Sequence, residues 1–305
     1  MIRGGAIGDF ILTLPAIKLL RDSFPAAHLE ILGYQHIVAL ARMSQYANAT
    51  RSIEYAALST FFSRDGDLAL DLVDYFGSFQ QVISYLFDPD EIFTNNLKRA
   101  GVRNLIAGSP KITNQEHAAR QLARPLESLA LYLENPAAVI VPNEARKVDP
   151  ALLAIHPGSG SETKNWPLER FVALGHAIFD SSSKRKLLLI SGEADDERVT
   201  QLASALPNER VKVAKNLPLT DLARLLQNCA FFIGHDSGIS HLAAAVGTPS
   251  LLLFGPTDPM VWAPANPQVR VLRASTWKMD GIELAEVMAT VDADQRGTRE
   301  SSSLG

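Results

Sequence analysis

Short apolar runs alternate with helix-forming segments in the second half of the chain, and this alternation restricts the fold more than any other feature. The runs are three to five residues long and read as strands buried on both faces, each separated from the next by enough residues for one helix. Parallel strands need such crossover connections. The pattern predicts a doubly wound parallel sheet with strands at 152–155, 186–190, 211–213, 231–234 and 250–254, and helices at 168–179, 195–206, 220–227 and 239–246.

The first half shows the same alternation less clearly. Apolar residues from Phe10 to Phe24 recur at helical spacing after a glycine-rich turn, and further strands are predicted at 28–32, 52–55, 81–87 and 103–107, with a helix at 127–132. Residues 135–150 are rich in Pro, Asn and charge, which is typical of a linker. A chain of 305 residues suits two domains, predicted at 1–146 and 147–293, and the polar segment 294–305 is predicted to be a disordered tail.

The first strand is short in this sequence, because only Ile2 and Arg3 precede the glycine-rich turn. Strands are usually about five or six residues long. We therefore expect the chain to begin partway through that strand, from a misassigned start codon. An apolar extension of about four to six residues in frame upstream of Met1 is the expectation, and the genomic sequence checks it.

Composition excludes several classes of function. The formal net charge is −4, so nothing attracts the chain to nucleic acid or to an anionic membrane. Its single cysteine, Cys229, rules out an internal disulfide framework, and no Cys/His cluster has zinc spacing. No apolar run reaches the roughly 18 to 20 residues of a membrane span. We expect a cytoplasmic protein, with at most peripheral contact at the inner face of the inner membrane.

The segment 231–249 contains the most informative turn. An apolar strand ends in Asp236-Ser237-Gly238, and an alanine-rich helix follows. Asp236 or Ser237 is the expected N-cap, and His241 lies one turn further on the same face as Ser237. Free backbone N–H groups and the helix dipole make such an N-terminus an anion site, suited to a phosphate or diphosphate. Ordinary capping chemistry and a structural histidine remain the alternative interpretation.

Two other loops follow predicted strands of the same sheet. The loop 156–167 contains Ser159 and Lys164 among small residues, so its backbone and one mobile ammonium can meet an anion; a polar surface loop is the alternative. It lacks the Gly-Lys-Ser/Thr of a P-loop. The loop 191–197 contains Glu193, which can accept hydrogen bonds from ribose hydroxyls, or can simply favour a helix N-terminus.

Four motifs together resemble glycosyltransferase family 9, the ADP-heptose:lipopolysaccharide heptosyltransferases. They are Gly4-x-Ala6-Ile7-Gly8-Asp9 with Leu14-Pro15, His156-Pro157-Gly158-Ser159 with Lys164 and Trp166-Pro167, Asp236-Ser237-Gly238 with His241, and Phe254-Gly255-Pro256-Thr257. Each motif is weak alone, but their order covers nearly the whole chain. The segment from Ala41 to Leu133 carries no recognisable motif.

The resemblance implies a GT-B fold, in which two Rossmann-like domains face each other across a cleft, with acceptor bound by the first and nucleotide-sugar by the second. It implies an inverting transfer of heptose from ADP-heptose to a lipid-linked or oligosaccharide acceptor such as the lipopolysaccharide core. Asp9 matches the family's proposed general base, and Gly8 lies beside it on the acceptor side. The donor-binding residues implied are Ser159, Lys164, Glu193, Asp236, Ser237, Gly238 and His241. No metal and no cofactor are expected, because the nucleotide-sugar is a substrate.

Other functions compete with this one. The same architecture serves other nucleotide-sugar transferases and epimerases, or a nucleotide-binding protein without catalysis. His235 stands where the family often has Asn. A serine hydrolase using Ser237 and His241 is disfavoured, because the serine comes one position late for G-x-S-x-G and the two residues are one helical turn apart. The sequence specifies neither the acceptor, the sugar nor the oligomeric state.

Overall fold

The computed structural model of the protein describes residues 1–192 and 195–302, with side chains up to residue 293. The chain divides into two compact units, Met1–Pro136 and Ala137–Gly305. The division precedes the predicted boundary at residue 146 because the intervening segment is bonded to the second unit. There the N–H of Ile140 donates to the carbonyl of Ala245 at 2.8 Å, and the Asn266 amide donates to the carbonyl of Ala138 at 2.9 Å.

The first unit is built on a parallel sheet. Its strands are β1 Ile2–Arg3, β2 Glu30–Gly33, β3 Ala49–Ser52, β4 Val82–Ser84 and β5 Leu105–Ala107. Its helices are α1 Ile7–Ser23, α2 Gln35–Met43, α3 Leu70–Gly77, α4 Ile92–Arg99 and α5 Ala118–Ala123. Among the described residues the strand order is β3-β2-β1-β4-β5, and every pairing is parallel.

One helix predicted in this unit is replaced by a 3-10 turn. The helix predicted at 127–132 is instead a 3-10 turn, Arg124–Leu129, that directly follows α5. Pro125 explains the change, because a proline lacks the N–H that would continue the α-helical hydrogen bonds. A second 3-10 turn, Ala56–Phe62, brings Phe61 against Phe76 with their ring centres 5.0 Å apart in the core below the sheet.

The second unit is a longer doubly wound sheet. Its strands are β6 Asp149–Ile155, β7 Lys186–Ser191, β8 Val211–Lys215, β9 Cys229–His235, β10 Ser250–Phe254 and β11 Val269–Arg273. Its helices are α6 Leu168–Ser181, α7 Asp196–Ser204, α8 Leu219–Leu226, α9 Gly238–Ala245, α10 Pro259–Trp262 and α11 Leu284–Ser302. Across the described residues the strands lie in the order β11-β10-β9-β6-β7-β8, all in parallel pairs.

The predicted strands and helices of residues 152–254 are confirmed to within a few residues. The sequence analysis missed β11, α10 and α11. The backbone of α11 also continues to Ser302, which differs from the disordered tail predicted from residue 294. Val287 and Val291 are buried one turn apart and anchor the start of this helix. Residues 303–305 lie outside the described part of the chain.

Each sheet has one place where the order of its strands reverses. In the first unit β2 and β3 lie on one side of β1, and the next strand of the chain, β4, lies on the other side. In the second unit β7 and β8 lie on one side of β6, and β9 lies on the other side. The loops after the two strands diverge at such a point, and ligands of open α/β sheets bind there at the carboxyl ends. The two candidate sites are therefore the ends of β1 and β4 and the ends of β6 and β9.

Trp166 fills the core beside the second of these sites, and truncating it should destabilise the second unit. The side chain is fully buried, its ring meets Phe171 edge-on at 5.1 Å, and its Nε1 donates to the carbonyl of Ile282 at 2.9 Å. We expect Trp166→Ala to lower the free energy of unfolding by about 3 to 5 kcal/mol, because it leaves a large cavity.

Urea unfolding followed by circular dichroism measures this difference. Trp277→Ala is the matched control, because Trp277 is 49% exposed and its main contact is the Arg273 guanidinium 3.3 Å from the ring centre. The control should cost no more than about 1 kcal/mol. Equal losses for the two substitutions would contradict the assignment of Trp166 to the core.

Candidate functional site

The carboxyl ends of β6 and β9 bring together most of the predicted donor-binding residues. Ser237 is the second residue after β9 and is the N-cap of α9, with its Oγ accepting from the N–H of Ser240 at 3.3 Å. Gly238 begins the helix, and His241 is buried in its first turn, where its N–H donates to the carbonyl of Ser237 at 3.2 Å. The N-cap prediction is confirmed for Ser237. The positive end of the α9 dipole therefore lies at the reversal point of the sheet.

Lys164 and Asp236 form a partly buried ion pair at the same edge. The Lys164 Nζ lies 2.7 Å from Asp236 Oδ2, and their side chains are 29% and 7% exposed. A buried carboxylate needs such a partner, because an unpaired charge in the interior is costly. An ammonium carries three N–H donors, so one bond to Asp236 leaves others for a ligand. The pair holds Lys164 beside the N-terminus of α9.

A hydrogen-bonded series that the sequence analysis missed joins the ends of β6, β7 and β9. His156 Nε2 lies 2.9 Å from Asp195 Oδ2, and its Nδ1 lies 3.3 Å from Ser237 Oγ. Burial raises the pKa of Asp195, but the hydrogen bond from His156 and the backbone hydrogen bond at Gly192 outweigh it, so the net shift is downward. Asp195 is therefore held as a carboxylate. His156 and Asp195 each follow a strand of the predicted sheet, which was the signal available in the sequence.

Gly158 makes room for this series. A Cβ at this position would lie 2.0 Å from Asp195 Oδ1 and 2.8 Å from Asp195 Cβ. Any side chain there would displace the carboxylate from His156. Glycine is therefore needed in the loop after β6 for packing.

The series resembles a serine hydrolase triad in composition but not in geometry. In the triad the histidine receives the serine proton on Nε2 and bonds the aspartate through Nδ1, whereas His156 has these contacts reversed. Ser237 Oγ is also engaged as a helix cap, in extended backbone with φ of −149°. The His156 side chain contacts Ser237, a contact that was not predicted from the sequence. These features favour a structural role for the series over nucleophilic catalysis.

Of the two remaining predicted donor residues, Ser159 is not bonded to this cluster. The Ser159 hydroxyl has its partners within its own loop, at 2.7 Å from the carbonyl of Ser161 and 2.8 Å from Asn165 Oδ1. Ser159 therefore shapes the loop in this structure and borders a cavity of about 550 Å³ together with Asp195 and Arg198. Glu193 lies outside the described residues.

The first unit presents Asp9 at the reversal point of its own sheet. Asp9 lies in the first turn of α1, one residue after Gly8, and its Oδ2 accepts from the N–H of Ala6 at 3.0 Å. Gly5 makes this turn possible, because its φ is 101° and a Cβ there would lie 2.9 Å from Asp9 Oδ2. The backbone thus binds one carboxylate oxygen and leaves the other, Oδ1, with no hydrogen bond from any described residue.

Arg3 places a positive charge behind Asp9. Its guanidinium is buried, with Nε bonded to Thr13 Oγ1 at 3.0 Å and one terminal nitrogen 3.8 Å from Asp9 Oδ1. Burial lowers the pKa of Arg3, and the neighbouring Asp9 and Tyr85 oppose that shift. An arginine remains charged in such surroundings. Asp9 is therefore an accessible carboxylate, with its side chain 35% exposed, next to a fixed cation.

Asp9 lines a cavity of about 490 Å³ in the first unit. Exposed aromatic rings contribute to its wall, namely Tyr34, Phe62 and Phe87. Lys111 places its ammonium 4.3 Å from the centre of the Phe87 ring. Pockets with a largely apolar lining and a few polar groups are typical ligand sites.

The described residues lack both a metal-binding cluster and a membrane-spanning helix. No group of three or more His, Cys, Asp or Glu side chains is close enough together to hold a metal ion. No described helix has both the length and the apolar composition needed to cross a bilayer.

His235 should make the second unit sensitive to acid. Burial lowers the pKa of this fully enclosed ring from its ordinary 6.5 to about 3. Between these values the unfolded chain binds a proton at His235 and the folded chain does not, so the free energy of unfolding falls as the pH falls. One proton contributes at most about 1.4 kcal/mol per pH unit.

We expect His235→Asn to reduce this slope between pH 6 and 4, measured by urea unfolding at several pH values. His176→Asn is the matched control, because His176 is exposed on α6 and should leave the slope unchanged. If both variants keep the wild-type slope, His235 is not the group that takes up the proton on unfolding.

Comparison with known proteins agrees with these observations. Residues 105–290 match the model of glycosyltransferase family 9 (heptosyltransferase), which is more than half of the chain. The chain is 24% identical over 296 residues to lipopolysaccharide heptosyltransferase 3 of Escherichia coli, covering 84% of this chain and 83% of that protein. It is 30% identical over 115 residues to lipooligosaccharide heptosyltransferase 2 of Haemophilus influenzae, covering 36% of this chain but only 32% of that relative.

Solved structures resemble the chain over nearly its full length. The glycosyl transferase family 9 protein from Veillonella parvula has a TM-score of 0.77 at 19% identity, covering 97% of this chain and 96% of that one. The E. coli heptosyltransferase WaaC with ADP has a TM-score of 0.72 at 18% identity, covering 96% and 98%. These likenesses concern the fold, and with the two doubly wound units they confirm the predicted GT-B fold class. By its match over residues 105–290, the chain belongs to glycosyltransferase family 9, the heptosyltransferase family, and is a glycosyltransferase.

Proposed function

We propose that the protein transfers a heptose from ADP-heptose to an acceptor of the lipopolysaccharide core, with inversion at the anomeric carbon. The observation that carries the proposal is the cluster at the end of β9, where Lys164, the Asp236-Ser237 turn and the N-terminus of α9 converge. Helix N-termini and lysine side chains are the usual protein partners of phosphate groups. Relatives support the choice of sugar, since WaaC has been solved with ADP and with ADP-2-deoxy-2-fluoro heptose.

The donor would bind through its diphosphate to the second unit. As the glycosidic C–O bond breaks, negative charge collects on the departing diphosphate. The Lys164 ammonium and the α9 dipole would stabilise that charge, in the way that preorganised donors stabilise a leaving group in other transferases. The proposal includes no metal ion, because these groups supply positive charge themselves; full activity in excess chelator is expected.

The acceptor would bind in the cavity of the first unit. Its aromatic wall offers apolar surface to a sugar ring, and Lys111 offers a cation to an acidic group of the core. Asp9 would accept the proton of the acceptor hydroxyl while that oxygen attacks the anomeric carbon. Its unbonded Oδ1 supplies the lone pair that this step requires.

Nucleotide binding tests the donor half of the proposal. Calorimetry should show ADP binding more tightly than UDP or GDP. Lys164→Ala should weaken ADP by roughly tenfold or more and adenosine much less, because one charge-assisted hydrogen bond to the diphosphate is worth about that factor. A clear preference for UDP would favour another nucleotide-sugar enzyme, and binding of none would favour a protein without this activity.

Lys164→Ala also leaves Asp236 buried without its partner, so a second variant is needed. The double variant Lys164→Ala/Asp236→Asn removes both charges. If ADP affinity stays low in the double variant, the lysine itself binds the diphosphate. Recovery would mean that the loss came from the buried, unpaired carboxylate of Asp236. Lys215→Ala, which removes a lysine paired with the exposed Asp196, is the matched control and should bind ADP normally.

Replacing Asp9 tests the catalytic half. Asp9→Asn keeps an oxygen for the Ala6 N–H but removes the basic carboxylate, so kcat should fall by roughly 10²- to 10⁴-fold, the usual range for a lost general base. ADP affinity and Tm should change little. Asp22→Asn is the matched control, because Asp22 is exposed at the other end of α1, where it pairs with Lys18. If Asp9→Asn transfers the sugar at close to the wild-type rate, Asp9 is a helix-capping residue and not the general base.

A further inference from the structure

His156 and His235 lie close together and have opposite ring tautomers. His156 Nε2 faces the Asp195 carboxylate at 2.9 Å, and a carboxylate can only accept, so this nitrogen carries the proton. His235 Nε2 instead accepts from the N–H of Trp166 at 2.9 Å, and its Nδ1 faces the carbonyl of Gly158 at 3.4 Å. The proton of His235 is therefore on Nδ1. Hydrogen-bond partners set the tautomer in each case.

The protonated Nε2 of His156 has a consequence at Ser237. With one proton on the ring, Nδ1 is a bare acceptor for the Ser237 hydroxyl 3.3 Å away. The Ser240 hydroxyl, 3.1 Å from Ser237 Oγ, donates its own proton to the carbonyl of His235 and is a second acceptor for Ser237. The oxygen lone pairs of Ser237 then remain available for the N–H of Ser240, which caps α9. The opposite tautomer would turn an N–H toward Ser237 and a lone pair toward the Asp195 carboxylate. Asp195 therefore selects the tautomer that presents an acceptor, and not an N–H, to the Ser237 hydroxyl.

Burial of both side chains keeps the His156 tautomer fixed. The side chains of His156 and Asp195 are 4% and 10% exposed, so water cannot readily replace either partner. The loop after β6 packs against the carboxylate at Gly158, with no space for a side chain between them. The position of the Asp195 carboxylate, after β7, thus determines through the His156 ring which hydrogen bond Ser237 makes at the N-terminus of α9.

We propose that Asp195 is a positioning residue for diphosphate binding, acting through the His156 ring on the Ser237 hydroxyl. The ligand in this inference rests on the proposed function, whereas the ring geometry does not. In this role Asp195 acts through its bond to His156 and not by contact with the diphosphate. It keeps the Ser237 turn, and with it the neighbouring Asp236–Lys164 pair, in the arrangement that receives the anion.

The test combines a spectroscopic and a binding measurement on the full chain. Nitrogen-15 NMR distinguishes protonated from bare ring nitrogens, and His156→Gln identifies the His156 signals by their loss. Wild-type protein should show Nε2–H at His156 and Nδ1–H at His235. Asp195→Asn can donate as well as accept, so the His156 signal should shift toward the other tautomer or a mixture while His235 is unchanged.

Binding then shows whether the tautomer matters. Asp195→Asn should weaken ADP by about tenfold, the size of one hydrogen bond to a charged group, and leave adenosine nearly unchanged. Asp196→Asn is the matched control, because it removes the next carboxylate, whose partners are Lys215 and Ser191 and not His156. This variant should change neither measurement.

Gly158→Ala offers an independent perturbation should Asp195→Asn fold poorly. The added Cβ pushes the Asp195 carboxylate away while leaving the residue in place, so it should reproduce both effects. ADP affinity at the wild-type level in a variant whose His156 tautomer has changed would overturn the inference, as would Nδ1–H at His156 in the wild type. Failure of wild-type protein to bind ADP would instead count against the proposed function.

Discussion

Burial of both faces of the parallel sheets decides where polar chemistry can occur in this protein. In the second unit, β10 is buried throughout, and so is β9 from Phe231 onward. A polar side chain inside such a strand must find its partner within the protein, as His235 does with the N–H of Trp166. Charged groups able to meet a ligand are thereby confined to residues that follow the strands, and parallel strands bring all those residues to one edge of the sheet.

The charges at this edge are compensated before any ligand arrives. Asp236 is paired with Lys164, and Asp195 is bonded to His156. An unpaired carboxylate at either position would carry a large desolvation penalty, so each pair supports folding of the loops as well as their shape. The remaining attraction for an anion comes from the α9 N-terminus and the unused ammonium protons. Fixed donors of this kind need little rearrangement when charge develops on a ligand.

Local pattern predicted the strands of both units, except β11, to within a few residues, but it predicted most of the helices only in the second unit. There β10 was predicted at its observed bounds, and Ser237 was one of two candidate caps. In the first unit α2 to α5 were not predicted, because the connections there include 3-10 turns and irregular segments that interrupt the helical period. The bond between His156 and Asp195 joins residues 39 positions apart through the adjacency of β6 and β7. Such a contact can be recognised only from the order of the strands in the sheet. From the sequence, each residue was predicted to follow a strand, but the two were not predicted to be bonded.

Asp9 differs from Asp195 and Asp236 in what surrounds its carboxylate, and the difference separates the proposed base from the structural acids. A base needs an available lone pair and contact with substrate, whereas the Asp236 side chain is 7% exposed and already bonded to an ammonium. At Asp9 the N–H of Ala6 binds one oxygen, and the nearest cation to the other, on Arg3, is 3.8 Å away. The left-handed backbone of Gly5 produces this arrangement, because it brings the N–H of the turn to one oxygen while the side chain still lines an open cavity. Three aspartates that are alike in sequence thus acquire different chemistry from the backbone and partners around them.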